Sequence, residues 1–239
     1  MSENEGEETK AMRKWGRWIL LTGLGVVVAL LLVKALSLAG IFGPAHPAAA
    51  ILTEQGVLID PGHGGFDVGA IGVSGSEEDK LNLEMAQALK QELESRGIPA
   101  ELLRPTQEAL AQTKEADMEA RAQAIRESTA AVLISLHMNS FPQDASVHGP
   151  QVFYQQDSHI GQDFASVLQP YLNDVANGTR KPAAQRLIVL SAAEGVLPGV
   201  LVECGFLTNA EEEENLKKPG YRKRFAAALA DGIQAYCQG

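Results

Sequence analysis

The sequence predicts an α/β protein, a three-layer α/β/α domain around a central, mostly parallel sheet of about six strands. From residue 51 onward, short apolar runs alternate with longer segments of helical periodicity. The runs at 57–60, 131–136 and 200–202 are uninterrupted, which is typical of strands buried on both faces. Such alternation indicates helices packed on both sides of one sheet.

The helices and the remaining strands follow from apolar spacing and from breakers. A helix is predicted over 79–95 because its apolar residues share one face, and Gly97 ends it. A second amphipathic helix is predicted over about 219–236. The polar stretch at 107–127 is predicted to be helical in part. The other predicted elements are a helix over 160–175 and strands at 100–104, 151–154 and 187–190.

The N-terminal segment differs in composition from the rest of the chain. Four basic residues precede a long apolar run, in which Lys34 could extend its amine toward the bilayer surface. A run of this length suits a bilayer core, and the basic flank predicts that the N-terminus stays in the cytoplasm. We therefore expect a cytoplasmic segment at 1–17, a transmembrane helix at 18–42, a linker at 43–50 and an exported domain at 51–239.

A cleaved signal peptide is the alternative for this segment. Three small residues, Ala48–Ala50, would suit a signal peptidase, and cleavage there would give a secreted protein. The length of the apolar run favours a retained anchor.

Composition excludes some classes of site and partner. The net charge is −10, and no dense basic block lies beyond the N-terminal segment, which argues against nucleic acid as a partner. Only two cysteines, Cys204 and Cys237, are present, so a cysteine-rich zinc site is excluded. A disulfide between these two cysteines cannot be deduced from the sequence.

Three predicted strands end in side chains that suit metal or acid–base chemistry. His63 follows the run at 57–60, His137 follows the run at 131–136, and Glu203 follows the run at 200–202. In open α/β sheets, the ligand crevice lies at the carboxyl ends of the strands. Two imidazoles and a carboxylate at one crevice are the material of a zinc hydrolase site.

A catalytic zinc usually takes three protein ligands, so a further donor is needed. Glu77 and Glu78 follow a flexible loop, and either could reach the metal, although acidic residues also favour helix N-termini without any ligand. Glu203 lies in an apolar context, where desolvation would raise its pKa toward that of a useful general base. A structural salt bridge is the alternative for Glu203.

Four segments together resemble a known family. They are Val57–Gly65, Glu78–Leu83, Ser135–Asn139 and Val202–Asn209, and in this order they are similar to the zinc-dependent N-acetylmuramoyl-L-alanine amidases of the amidase-3 type. The resemblance extends over about Val57–Tyr236. It implies hydrolysis of the amide between N-acetylmuramic acid and L-alanine in peptidoglycan.

The resemblance also implies roles for individual residues. His63, Glu78 and His137 would hold Zn²⁺, with the register of the Asn82-Leu83 pair selecting Glu78 over Glu77. Glu203 would be the catalytic base. Two further residues are predicted to contact substrate. Asn139 could instead cap a turn, and Arg121 matches a family arginine of structural or substrate-binding role.

The layout of the chain is similar to one branch of this family. The short anchor and the segment Asn177–Lys181 resemble the germination-specific amidases, which act on spore cortex during muramic-δ-lactam formation. A vegetative cell-wall amidase, a non-catalytic peptidoglycan-binding module and a thiol enzyme using Cys204 are the alternatives. The expected partners are peptidoglycan and the membrane, and an activating protein partner stays open.

Overall fold

A computed structural model describes residues 47–239 and shows one six-stranded sheet within them. The strand order is β2-β1-β3-β6-β4-β5. Strands β1, β2, β3 and β6 are parallel, whereas β4 runs antiparallel to β6 and parallel to β5. The strands are β1 Val57–Pro61, β2 Ala100–Leu102, β3 Val132–Asn139, β4 Gln151–Gln155, β5 Ala183–Gln185 and β6 Gly199–Phe206.

Helices cover both faces of the sheet, which confirms the predicted three-layer α/β fold. Residues that alternate along the central strands pack into two separate apolar clusters, so Val57 and Ile59 face one helical layer and Leu58 faces the other. Helices α1, α2, α4 and α7 pack in the first layer, and α3 and α5 pack in the second. The helices are α1 Pro47–Gln55, α2 Glu78–Ser95, α3 Lys114–Glu127, α4 His159–Ala176, α5 Ile188–Ala193, α6 Ala210–Lys217 and α7 Pro219–Gln238.

The pairing of β1, β3 and β6 aligns the predicted strand ends. Asp60 lies opposite Ser135, and His137 lies opposite Glu203. A register shift follows between His137 and Asn139, at the carboxyl end of β3. Parallel pairing therefore brings the chemically active residues to the same edge of the sheet.

The predicted strand at 187–190 is wrong. Residues Ile188–Ala193 form the short helix α5, and the neighbouring strand β5 lies earlier, at Ala183–Gln185. Val189 and Leu190 are buried, whereas Ile188 and Ser191 are exposed, which is a helical rather than an alternating pattern. Four apolar residues cannot distinguish a short strand from a buried helix by periodicity alone.

Two helices differ from the prediction, one in its boundary and one in its existence. Helix α1 begins at Pro47, so the last four residues of the predicted 43–50 linker are helical. Helix α6 was not predicted, although Asn209 caps it by accepting hydrogen bonds from the backbone N–H groups of Glu211 and Glu212. An Asn followed three residues later by Glu is a helix-start signal that the sequence did contain.

The predicted cytoplasmic segment and transmembrane helix, 1–17 and 18–42, lie outside the described residues. Between residues 47 and 239, no helix combines the length and the apolar character that a membrane crossing requires.

Candidate metal centre and catalytic carboxylate

His63 occupies a left-handed backbone conformation just after β1. Its φ of 61° is uncommon for a residue other than glycine. Buried Arg121 holds this turn, because its guanidinium donates to the carbonyl oxygens of His63 at 2.5 Å and Pro61 at 2.9 Å. Strained backbone that is held from several sides is typical of functional sites.

Glu78 is the first residue of α2 and is 4% exposed. Its Oε1 lies 3.2 Å from His63 Nε2 and 3.1 Å from His137 Nδ1. The Ala70 backbone N–H donates to Oε2 at 2.8 Å, and the Met138 backbone N–H donates to Oε1 at 3.1 Å. The loop before α2 and the end of β3 therefore fix this carboxylate between the two imidazoles.

His137 comes from β3, and its ring lies against Gly62. A Cβ at position 62 would approach the ring to 2.1 Å, so only glycine fits there. The His63 and His137 rings meet edge to face, with centroids 4.9 Å apart. Gly62 thus lets β1 and β3 present both imidazoles at one point.

The three donors fit a zinc ion. Donor atoms of His63, Glu78 and His137 all lie within 4.8 Å of one another. Ligands of one tetrahedral zinc, with bonds of about 2.0–2.1 Å, are separated by about 3.3 Å, close to the His–Glu distances here. Glu77, the alternative donor, instead forms an ion pair with Lys80.

The electrostatics of this cluster are those of a cation site. Burial alone would raise the pKa of Glu78, but hydrogen bonds from His137 and His63 outweigh it and hold that pKa well below its usual range. For His63, burial would lower the pKa, yet Glu78 and Asp67 together raise it. An anionic carboxylate flanked by imidazoles is ready to exchange protons for a metal ion.

Asp67 is a functional candidate that the sequence did not indicate. Its Oδ2 lies 3.1 Å from His63 Nδ1 and 3.2 Å from Lys114 Nζ. A carboxylate on one ring nitrogen of histidine fixes the tautomer and directs the other nitrogen toward a metal. The four-residue spacing from His63 was the available signal, but an acidic residue in a loop is too common to be selected by it.

Glu203 stands beside the cluster on the adjacent strand. It lies opposite His137 in the β3–β6 register, and its Oε2 is shielded from solvent with no hydrogen-bond partner among the described residues. Burial raises the pKa of Glu203 to about 7, against the opposing effect of His137. A partly buried carboxylate that forms no ion pair within residues 47–239 is poised to accept and return a proton.

The two predicted substrate contacts occupy different surroundings. Arg121 is 1% exposed, and besides the backbone carbonyls it binds Asp60 and Asp117 at 2.5 Å and 2.7 Å. Its donors are thus used inside the protein, which favours the structural alternative over substrate binding. Asn139 lies partly buried beyond the register shift, where its Oδ1 accepts from the Ser140 backbone N–H at 2.8 Å.

Other candidates lie away from the cluster. Cys204 is completely buried on the face of β6 opposite to Glu203. Burial raises the pKa of its thiol well above the usual value. A thiol in that state is a poor nucleophile, which argues against the thiol-enzyme alternative. Both cysteines are free. His148 and His159 lie in a loop and at the start of α4, outside the cluster.

Comparison with known proteins identifies the family. The model of the Amidase_3 family, described as N-acetylmuramoyl-L-alanine amidase, matches residues 57–235. This chain belongs to that family. It is therefore an enzyme of the N-acetylmuramoyl-L-alanine amidase class, with a peptidoglycan amide as its substrate.

Individual relatives support this assignment. A germination-specific N-acetylmuramoyl-L-alanine amidase from Bacillus subtilis is 32% identical over 200 residues, covering 80% of this chain and 83% of the relative. The CwlD amidase of Clostridioides difficile, solved in complex with the GerS lipoprotein, has a TM-score of 0.70 and 28% identity over 75% of this chain and 96% of its own. The catalytic domain of CwlV from Paenibacillus polymyxa has a TM-score of 0.67 and 30% identity, with the same coverage.

Proposed function

We propose that this amidase is a zinc enzyme that hydrolyses the amide between N-acetylmuramic acid and L-alanine in spore-cortex peptidoglycan. The observation that carries the chemistry is the convergence of His63, Glu78 and His137 beside Glu203. Three protein ligands would leave a zinc ion able to bind water, and Glu203, whose Oε2 has no hydrogen-bond partner among the described residues, lies opposite the ligand His137.

In this mechanism, His63 Nε2, Glu78 Oε1 and His137 Nδ1 would hold the metal. Zinc, when bound, supplies a Lewis acid that acidifies water and polarises the amide carbonyl. Glu203 takes the proton of the attacking water and then donates it to the nitrogen of L-alanine as the amide bond breaks. Asp67 accepts from His63 Nδ1 and so favours the tautomer that would bind a metal through Nε2, and Arg121 holds the His63 turn.

The ligand assignment predicts the zinc content of the purified full-length chain. We expect one zinc per chain, loss of that zinc in His63→Ala and in His137→Ala, and retention in the control His148→Ala. Metal analysis of the wild type and the three variants makes the comparison. Chelation should also abolish amide cleavage, whereas a thiol enzyme would survive it. Full zinc occupancy in either ligand variant would contradict the assignment.

The cortex role rests on the similarity to the germination-specific relative in Bacillus subtilis. It also rests on the segment Asn177–Lys181, which resembles the germination-specific amidases. We expect a gene deletion to leave growth and division normal, while spores lack muramic-δ-lactam and fail to complete germination. Muropeptide analysis of spores and vegetative walls measures this. Unchanged cortex together with a cell-separation defect would indicate the vegetative alternative.

The site of action and the partner are part of the same proposal. Peptidoglycan lies outside the cytoplasm, so the catalytic domain must be exported, and we infer that residues 18–42 retain it at the membrane. The CwlD relative was solved as a complex with a lipoprotein, which makes a membrane-held protein a candidate partner for this chain as well. The tagged chain is purified from detergent-solubilised membranes of sporulating cells, and a lipoprotein that co-purifies with it would be the partner. The same purification from cells without the tagged chain is the control.

A further inference from the structure

A cavity of about 350 Å³ opens beside the metal cluster, between α3 and α5. His63 and His137 form part of its wall, so the cavity is continuous with the reaction centre. Its volume is in the range of small-ligand sites. Most of the remaining wall is apolar and comes from Phe66, Met118, Leu187, Ile188, Val189 and Leu201.

Of the three basic side chains Lys114, Arg121 and Arg186 around this cavity, Arg186 is the one without a close carboxylate in the cavity wall. Arg121 pairs with both Asp60 and Asp117, and Asp67 is shared by His63 and Lys114. Arg186, also in the wall, contacts the Gln156 side chain at 3.1 Å and the distant Asp157 carboxylate at 4.0 Å. Its side chain is 75% exposed, so its guanidinium is available to an anion.

The position of Glu203 indicates which arm of the substrate enters. Leu201 lines the cavity, and Glu203 follows it by two residues on β6, so both side chains project from the same face of the sheet. In the proposed mechanism, Glu203 donates its proton to the leaving amine. The peptide is attached to that amine, and it therefore extends toward this face, whereas the glycan extends away from it.

We propose that this cavity binds the stem peptide, with the L-alanine methyl group against the apolar wall and a carboxylate of the following acidic residue paired with Arg186. The assignment of the arm rests on the proposed function. The charges agree with it, because the N-acetylated glycan arm carries no group that an arginine would pair with, whereas the residues after L-alanine carry carboxylates. Arg186 is thus a specificity-determining residue.

Equilibrium binding tests the inference without turnover. The full-length chain is titrated by calorimetry with the free L-alanyl-γ-D-glutamyl peptide and with the same peptide carrying a carboxamide in place of the glutamyl α-carboxylate. We expect the acid to bind about 5-fold more tightly, the upper range for an exposed ion pair. Arg186→Gln should remove this preference, and Arg186→Glu should reverse it.

The control is Arg126→Gln, which removes the same charge from an exposed arginine on α3 outside the cavity. It should keep the wild-type preference. Equal affinity of the wild-type protein for the two peptides would overturn the inference. An equal loss of affinity for both peptides in the Arg186→Gln variant would overturn it as well. Release of L-alanine amino termini from peptidoglycan is measured in parallel: its absence alongside Arg186-dependent peptide binding would refute the proposed function and leave the peptide site intact.

Discussion

Glu203 carries a carboxylate oxygen that is shielded from solvent and has no partner among residues 47–239. Burying a carboxylate without a hydrogen bond is unfavourable, and such groups persist where function requires them. Its neighbours explain the position, because His137 lies directly opposite on β3 and the parallel pairing of β3 with β6 brings Glu203 beside the metal cluster. The pKa of about 7 results from burial, which outweighs the effect of the two histidines.

At this scale we predict that Glu203→Gln keeps the fold and the zinc but loses amide hydrolysis by at least about 10²-fold, the lower range of general-base contributions. The amide is isosteric with the carboxylate but cannot accept the water proton. Turnover of purified peptidoglycan, with zinc content measured on the same sample, makes the test. Glu101→Gln, which changes an exposed residue on β2, is the control. Near-normal turnover of the Glu203→Gln variant would refute the role.

At the scale of elements, helix α6 fastens the loop that leads to Glu78. Glu213 on α6 is 1% exposed and accepts hydrogen bonds from the backbone N–H and hydroxyl of Ser74 and from the backbone N–H of Ser76. Gly72 packs so closely that a Cβ there would approach Glu213 Oε1 to 2.2 Å. The segment after the Glu203 strand thus holds the loop before the Glu78 helix, which couples two parts of the site.

We therefore expect Glu213→Ala to destabilise the protein by about 1–3 kcal/mol, because it leaves donors of Ser74 and Ser76 without an acceptor. Urea unfolding measures the loss. Limited proteolysis should show new cleavage within 72–76, since local opening then costs less. The adjacent Glu214→Ala removes an exposed carboxylate and should change neither. A Glu213→Ala protein with unchanged stability and unchanged cleavage would show that this contact does not hold the loop.

At the scale of the whole molecule, the acidic catalytic domain and the N-terminal segment play separate roles. The described residues contain no helix suited to a bilayer, so the proposed membrane attachment depends on the N-terminal segment. We expect a tagged full-length protein to fractionate with membranes and to resist extraction by high salt and carbonate. Replacing Leu30, Leu31 and Leu32 with arginine should release it, because charges at a bilayer centre are unfavourable. A soluble mature protein beginning near Ile51 would instead establish signal cleavage.

The sequence by itself determined the α/β class and the strands that lead to His63, His137 and Glu203. It also indicated that these three side chains, at the ends of strands, suit metal or acid–base chemistry. These features are local, because an uninterrupted apolar run and the polar residue at its end can be read from one segment of the sequence.

The tertiary structure alone decided the remaining helix and the contacts around the site. The predicted strand at 187–190 gave way to a helix that begins at Ile188, because only packing distinguishes a short apolar helix from a strand. Folding alone brings Asp67 into contact with His63, Arg121 into contact with the His63 carbonyl, and Arg186 to the cavity wall. Side-chain contacts of this kind leave no periodic signal in the sequence.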